Sequence, residues 1–326
     1  MRGRTSYCFF RIPETDIFPP LFSTTEGRHK GDILDTKRNS YAQLQKSHPC
    51  FGEHAANTGR IHLPVSPGCN IACRFCNRSI NDTENRPGVT SEVLTPEESL
   101  DVLARALELC PQIKVAGIAG PGDTLATDGA VHTLRLVKER YPELLRCLST
   151  NGLLLYERAE ELLEVGVDTL TVTVNAVDPA IEAQLNKYII YHGVKYEGEE
   201  GARILIENQL KGIRRMADAG VTVKVNTVLV PEINADHVED IALAIAEAGA
   251  SIYNLIPLIP QFELSGYRAP DCRELNEARM RAGKYMDIFR HCQHCRADAI
   301  GVPGVSEFGD QIYRRGLNLE ENFSHG

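Results

Sequence analysis

The chain has 326 residues and a formal net charge of −9, enough sequence for one large core or two ordinary ones and the wrong charge for a broad surface that tracks DNA or RNA phosphates. No apolar run is long enough to cross a bilayer, and the opening segment MRGRTSYCFFRIPETD is broken by an acidic residue and prolines before a signal-peptide core can form, so a cytoplasmic protein is expected. Ten cysteines are an odd disulfide set for such a compartment; thiolates gathered around iron or zinc explain them better.

The first 60 residues are turn-rich and without repeat, and are expected to form an N-terminal extension. HLPV, 62–65, reads as the first strand and leads into CNIACRFC at 69–76. Thr95, Pro96 and Glu98 spell a capped helix start, followed by Leu100, Leu103, Ala104 and Leu107 on one face. Next come a strand at IKVAGIAG, a helix at DGAVHTLRLVKERY, a strand at LRCLST, a helix through YERAEELLEVG and a strand at DTLTVTVNAVDP. The helix ENQLKGIRRMADAG, the strand VTVKVNTVLVP, the helix ADHVEDIALAIAEAGA and the strand SIYNLIPLIP complete the pattern. Six strands joined by helical crossovers predict an α/β fold with a parallel sheet curled into a partial (β/α)6 barrel over 61–270. The two further units of a full eight-stranded barrel are not evident, and 271–326 reads as a C-terminal extension.

Chemistry on such a barrel is expected at the C-terminal ends of the strands, and the unusual words follow strands. Cys69, Cys73 and Cys76 follow the first; GIAGPGD, 117–123, the second; Cys147 and STNG belong to the end of the third; NAVDP follows the fourth. Three thiolates at this spacing can curl around an iron-sulfide cube and leave one iron open to a small molecule. A structural zinc knuckle completed by Cys50 is the competing reading.

The triplet C-N-I-A-C-R-F-C, with Phe75 before its last cysteine, resembles the signature of radical S-adenosylmethionine (SAM) enzymes. The resemblance implies a 4Fe-4S cluster on Cys69, Cys73 and Cys76 whose open iron chelates SAM and cleaves it to a 5′-deoxyadenosyl radical. It also implies that Gly120, Gly122 and Asp123 in GPGD form the loop that meets the methionine amino group. Asn151 and Asn175 become candidate polar contacts to SAM, and Ile256 a cover for its adenine; each is also readable as structural.

Beyond the superfamily, HPCF, RIHLPVSPGCNIACRFCNR, GIAGPGDTL, CLSTNGL, VTVNAVDP, VKVNTVLVPEIN and HCQHCRADAIG occur in the order of the NifB family of nitrogenase cofactor maturases, over roughly residues 48–304. That resemblance implies two further 4Fe-4S clusters as substrates, fused with a SAM-derived carbide and an added sulfur into an 8Fe-9S-C precursor, NifB-co. Cys50, Cys147 and His62 match the family's ligands to one substrate cluster, and Cys292 and Cys295 the pair on the other; His62 as a core histidine is the alternative. Partners implied are an iron-sulfur donor, a low-potential electron donor and an acceptor or carrier of the finished cofactor, with no nucleic acid or membrane; the oligomeric state is left open.

Two stretches depart from the family: GEHAANTGR carries one histidine, His54, where a pair is usual, and FELSGYRAP replaces a family segment after the sixth strand. The chain also ends soon after ADAIG, without the cofactor-carrying domain fused to some relatives, so the product is expected to pass to another protein. Two other functions remain: a radical SAM enzyme that keeps its auxiliary clusters and modifies a small molecule or peptide, and an iron-sulfur electron-transfer or storage protein without SAM chemistry. Glu53, Glu84, Asp123, Asp178 and Glu263 are carboxylates available for proton transfer, with Arg78 and Arg86 to hold them or SAM. Cys8, Cys110 and Cys272 belong to no motif.

Overall fold

The computed structural model describes residues 44–52 and 57–313; Cys8, Glu53 and His54 lie outside them. In chain order the elements are β1 (Gly59–His62), β2 (Ile71–Cys73), β3 (Ser79–Ile80), β4 (Val89–Thr90), α1 (Pro96–Leu109), β5 (Ile113–Ile118), α2 (Gly129–Arg140), β6 (Leu145–Thr150), α3 (Ala159–Glu164) and β7 (Thr169–Thr173). Then follow α4 (Pro179–Leu185), β8 (Asn186–Tyr191), β9 (Val194–Glu197), α5 (Gly198–Asp218), β10 (Thr222–Leu229), α6 (Val238–Glu247), β11 (Ile252–Pro257), α7 (Cys272–Ala282), β12 (Asp287–Ile288), β13 (Ile300–Gly301) and α8 (Gly309–Ile312).

The main sheet runs β12-β11-β10-β7-β6-β5-β1-β13. Its six long strands are parallel and neighbour one another in sequence order, the arrangement of a partial (β/α)6 barrel. The first strand is Gly59–His62 rather than 62–65, because it pairs with β5 up to His62↔Gly117 and the following Pro64 has no N–H for a ladder. The capped helix is as expected: the Thr95 hydroxyl accepts from Glu98 N at 3.2 Å while the Glu98 carboxylate accepts from Thr95 N at 2.9 Å. Cys110 caps the far end of α1, buried in the core.

Alternation along each strand divides the sheet into two faces. Ile61, Ala116, Ile118, Leu148, Leu170, Val172, Val223, Val225, Tyr253 and Leu255 pack into the main core under the helices. Opposite parity sends Arg60, His62, Cys147, Thr169, Thr171, Lys224, Asn226 and Asn254 to the inner face. Polar side chains thus make up much of that face, interspersed with Val115, Ile252 and Ile256, whereas apolar layers fill a closed barrel.

Two devices outside the repeat position the site. The β8–β9 hairpin turns on His192 and Gly193, both at positive φ, which a tight two-residue turn requires. Its first strand pairs antiparallel with β2, and Ile190 N to Asn70 O and Arg74 N to Leu185 O, each 2.8 Å, clamp the loop on either side of Cys73. The C-terminal segment touches both edges of the sheet: β12 extends β11 in parallel, and β13 pairs antiparallel with β1. Residues 289–299 therefore cross the open side of the barrel.

Candidate metal centres

Cys69, Cys73 and Cys76 sit on and beside β2, all half-buried, with Cys69 and Cys73 packed on Ile71, Leu153 and Ile189. Burial and the Asp123 carboxylate push the Cys69 thiol up to about 12; burial and the other two thiols raise Cys73 well above its ordinary range, and burial raises Cys76. The buried Arg78 guanidinium opposes all three shifts, and it donates to Pro67 O at 2.8 Å, so it is fixed where three thiolates would need a cation. Among the described residues no three His, Cys, Asp or Glu side chains converge at single-ion distance; a cube takes each thiolate on a different iron, so a ring of thiols is what it requires. Phe75 packs on Leu185, Val230, Leu258 and Leu264, and its carbonyl accepts from Gln261 Nε2 at 2.9 Å.

The GPGD loop is locked against this loop. Gly122 N donates to Ser66 O at 2.7 Å and Asp123 N to Gly68 O at 2.8 Å. A Cβ on Gly122 would lie 2.0 Å from Gly68 O, so only glycine permits the approach. Gly120 holds φ +121, a backbone conformation that favours glycine, although a Cβ there would meet only ordinary contacts. Asp123, named above as part of the GPGD loop and as a carboxylate for proton transfer, ties loops together: it accepts from Leu125 N at 3.0 Å, from the Thr150 hydroxyl at 3.0 Å and from Asn151 N at 2.5 Å, while burial raises its pKa. Asn151 Nδ2 reaches Asn70 Oδ1 at 2.7 Å and lies 3.9 Å from Cys69 Sγ, which places it at the triplet. Asn175 is farther committed, its Oδ1 accepting from Val228 N at 3.0 Å and its carbonyl from Asn234 Nδ2 at 2.9 Å. Ile256 lies half-buried near the end of β11 on the inner face.

The other carboxylates are spent elsewhere: Glu84 on Arg86, Glu263 on Arg74 and Lys187, and Asp178 on capping α4. Glu182, which the sequence did not single out, is 2% exposed, pushed up to about 8 by burial and close enough to Cys73 to raise it. Buried atoms without partners cluster here, Glu182 Oε2, both amide atoms of Asn186 and Asn70 Nδ2, as expected of a polar pocket that a ligand completes.

The remaining cysteines gather at a second level. Cys147 is not at the end of its strand but third in β6, about four residues, hence ~13 Å of strand, before Asn151. It shares a register row with Gly117 and His62; a Cβ on Gly117 would touch His62 Cδ2 at 3.4 Å and Cys147 Cβ at 3.8 Å. Cys50, Cys147 and Cys292 pack on Phe51, Ile252 and Phe289. Burial pushes the Cys50 thiol up to about 12, with Cys295 and Cys147 adding to the rise and Lys224 and Arg60 opposing it. Cys295 Sγ accepts from Arg60 Nη2 at 3.2 Å. Thus Cys50, His62, Cys147, Cys292 and Cys295 come together on the inner side of the sheet, at a level below Asn151 and the triplet rather than on the same rim.

His62 Nδ1 lies 3.0 Å from Arg296 O. A carbonyl only accepts, so Nδ1 carries the proton and Nε2 keeps a lone pair; burial and Arg60 push its pKa down to about 4, leaving a neutral imidazole. His48 behaves oppositely: its Nδ1 accepts from Cys50 N at 3.1 Å, so the buried Nε2 bears the hydrogen and has no partner. His294, at φ 51, has its pKa lowered by burial, and His291 stands 6.0 Å from the Phe289 ring.

A cysteine triplet clamped over a partial parallel barrel, with a glycine loop and buried polar side chains beside it, is the layout of a radical SAM enzyme, and the model of the Radical SAM superfamily matches residues 63–245. A radical SAM methyltransferase from Sphaerobacter thermophilus shares the fold at a TM-score of 0.53 and 18% identity, over 71% of this chain and 65% of that one. Proteins named FeMo cofactor biosynthesis protein NifB are far more similar. That of Methanocaldococcus infernus is 44% identical over 289 residues, covering 88% of this chain and 95% of its own length, and that of Methanocaldococcus jannaschii is 44% identical over 297 residues, covering 89% and 99%. The chain belongs to the NifB family of the radical SAM superfamily. No helix among the described residues is long and apolar enough to cross a membrane.

Proposed function

We propose that the protein is a NifB-type maturase that fuses two 4Fe-4S substrate clusters, with carbide from SAM and one added sulfur, into an 8Fe-9S-C precursor. The observation that supports this reading is the gathering of Cys50, His62, Cys147, Cys292 and Cys295 on the inner side of the sheet, so that two cubes held by them would be neighbours. Cys69, Cys73 and Cys76 would hold the third, resident cube, which supplies one-electron cleavage of SAM.

The chain's own groups have defined tasks. Arg78 offsets thiolate charge at the triplet. Asn151, Asn70 and Asn186 offer hydrogen bonds to a polar ligand, and the Gly120–Gly122 turn lets backbone approach it. The neutral His62 Nε2 is a weaker anchor than a thiolate for a cluster that must later leave. Glu182, whose pKa burial pushes up to about 8, brings a carboxyl group beside Cys73. An iron-sulfur donor, a low-potential electron donor and an acceptor for the product complete the cycle, in the cytoplasm.

The test is anaerobic reconstitution with methyl-labelled SAM and dithionite, followed by transfer to an acceptor. Deoxyadenosine, S-adenosylhomocysteine and a labelled, transferable 8Fe species are expected; label that stays with a small molecule or peptide while auxiliary iron remains on the protein would overturn the maturase reading. Replacing Cys69, Cys73 or Cys76 by Ala should abolish deoxyadenosine while the circular dichroism stays that of the folded barrel.

A further inference from the structure

Lys224 stands in the middle of VTVKVNTV, on the inner face of β10, and is 5% exposed. Its Nζ donates to Cys50 O at 2.9 Å and lies 4.7 Å from the Phe51 ring centroid and 5.1 Å from that of Phe289. No carboxylate pairs with it among the described residues. An ammonium taken out of water is costly unless a counter-charge pairs with it. Here one carbonyl and the faces of Phe51 and Phe289 stand in for that counter-charge. The local contacts leave the charge under-compensated, and an ammonium has three N–H donors, of which one is used.

What the charge faces is this group of inner-side cysteines and histidines. It acts on Cys50, Cys147, His62 and His48, opposing the rise of both thiols and lowering both histidines. The His48 Nε2–H, buried and without a partner, is a second idle donor there. Two thiolates and a neutral imidazole just balance a doubly positive oxidised cube, so one-electron reduction leaves a net negative charge opposite Lys224.

Resting on the maturase reading, we propose that Lys224 is a positioning residue for the substrate cluster on Cys50, His62 and Cys147: its ammonium donates to a sulfur of the cube and stabilises the reduced, anionic state in which the cluster is held for fusion. Reduction potentials of iron-sulfur clusters follow net charge and N–H···S bonds. Loss of the cation must therefore move the potential down, whereas a residue that merely packs Phe51 against Phe289 leaves it unmoved.

The test uses the full chain with Cys69, Cys73 and Cys76 replaced by Ala, so that only auxiliary iron is seen, reconstituted and titrated against redox mediators under electron paramagnetic resonance. Lys224→Met should shift the potential to more negative values and speed removal of iron by a chelator severalfold; Lys224→Arg, which keeps the charge, should restore both. In the cluster-free protein Lys224→Met should melt at or above the temperature of the Lys224 protein, because it removes a buried unpaired charge. Wild-type potential and chelation rate in a folded Met variant would overturn the proposal, as would a Met variant destabilised without cluster and unrescued by Arg. Absence of auxiliary iron from the Lys224 protein itself would instead bring down the maturase reading beneath it.

Discussion

His62 and Arg296 are 234 residues apart in sequence, yet the Arg296 carbonyl fixes the tautomer of the His62 ring through a 3.0 Å hydrogen bond. The bond ties β1 to the segment that carries Cys292 and Cys295, so the two groups of proposed cluster ligands are mechanically linked. Replacing His62 by Ala should lose about one cube of auxiliary iron and leave the cube on the triplet, since Cys69, Cys73 and Cys76 hang on a different loop. Iron analysis with Mössbauer spectroscopy decides it; an unchanged auxiliary complement would make His62 a core histidine.

The same ring sets an acid limit on the cluster-free protein. With His62 moved from an ordinary 6.5 down to about 4, the folded state resists the proton that the unfolded chain accepts. Stability is thus full above pH 6.5 and is lost as pH falls towards 4, by up to ~3 kcal/mol for this group alone. His48, lowered in the same direction by burial and Lys224, adds to the loss. Urea midpoints at pH 7 and pH 4.5 should fall apart for the unsubstituted chain and draw together in His62→Gln.

Gly122→Ala places a methyl group against the Gly68 carbonyl, which is backbone and cannot swing aside. The expected cost is about 1–3 kcal/mol of stability, and the displaced 66–69 segment carries Cys69 with it. Thermal denaturation should show a lower Tm, and SAM binding by calorimetry should weaken. Gly117→Ala is the control: its Cβ meets only ordinary contacts and should leave both nearly unchanged.

Replacing Cys292 and Cys295 together by Ala should spare the SAM site and deplete the second auxiliary cube. Fusion then lacks a partner: S-adenosylhomocysteine and labelled 8Fe product should disappear, while uncoupled deoxyadenosine persists. Full yield of transferable labelled cluster from this variant would refute the assignment of the pair.

What the sequence displayed, and what it hid, follows from the range of each interaction. The capping box at Thr95 and the alternation of VTVKVNTV are local signals, and both appear in the structure. The β8–β9 hairpin, between α4 and α5, is absent from the sequence reading although His192-Gly193 marks its turn. Its role as the clamp on Cys73 is set by pairing with a strand more than a hundred residues earlier, which no local pattern announces. Arg60 and Lys224 carried a usable signal, a charge at the centre of an apolar strand, whose meaning depended on knowing that much of the inner face is polar. In sequence, CLSTNG runs together Cys147 and Asn151 at the close of one strand; the register assigns the cysteine to one level of the barrel and the asparagine to another.

The crossing made by residues 289–299 also sets an order of assembly. Arg60 donates to Gly301 O across 241 positions, so during synthesis β1 through β11 can emerge and pair while the side of the barrel between β1 and β11 still stands open. The wall bearing Cys292 and Cys295 arrives last, and it is fastened at each edge by a strand of only two residues. A chain leaving the ribosome therefore has Cys69, Cys73 and Cys76 in place before the segment bearing Cys292 and Cys295 closes the barrel, and the interval between those two events is when the proposed cluster ligands Cys50, His62 and Cys147 are most open to an incoming cluster.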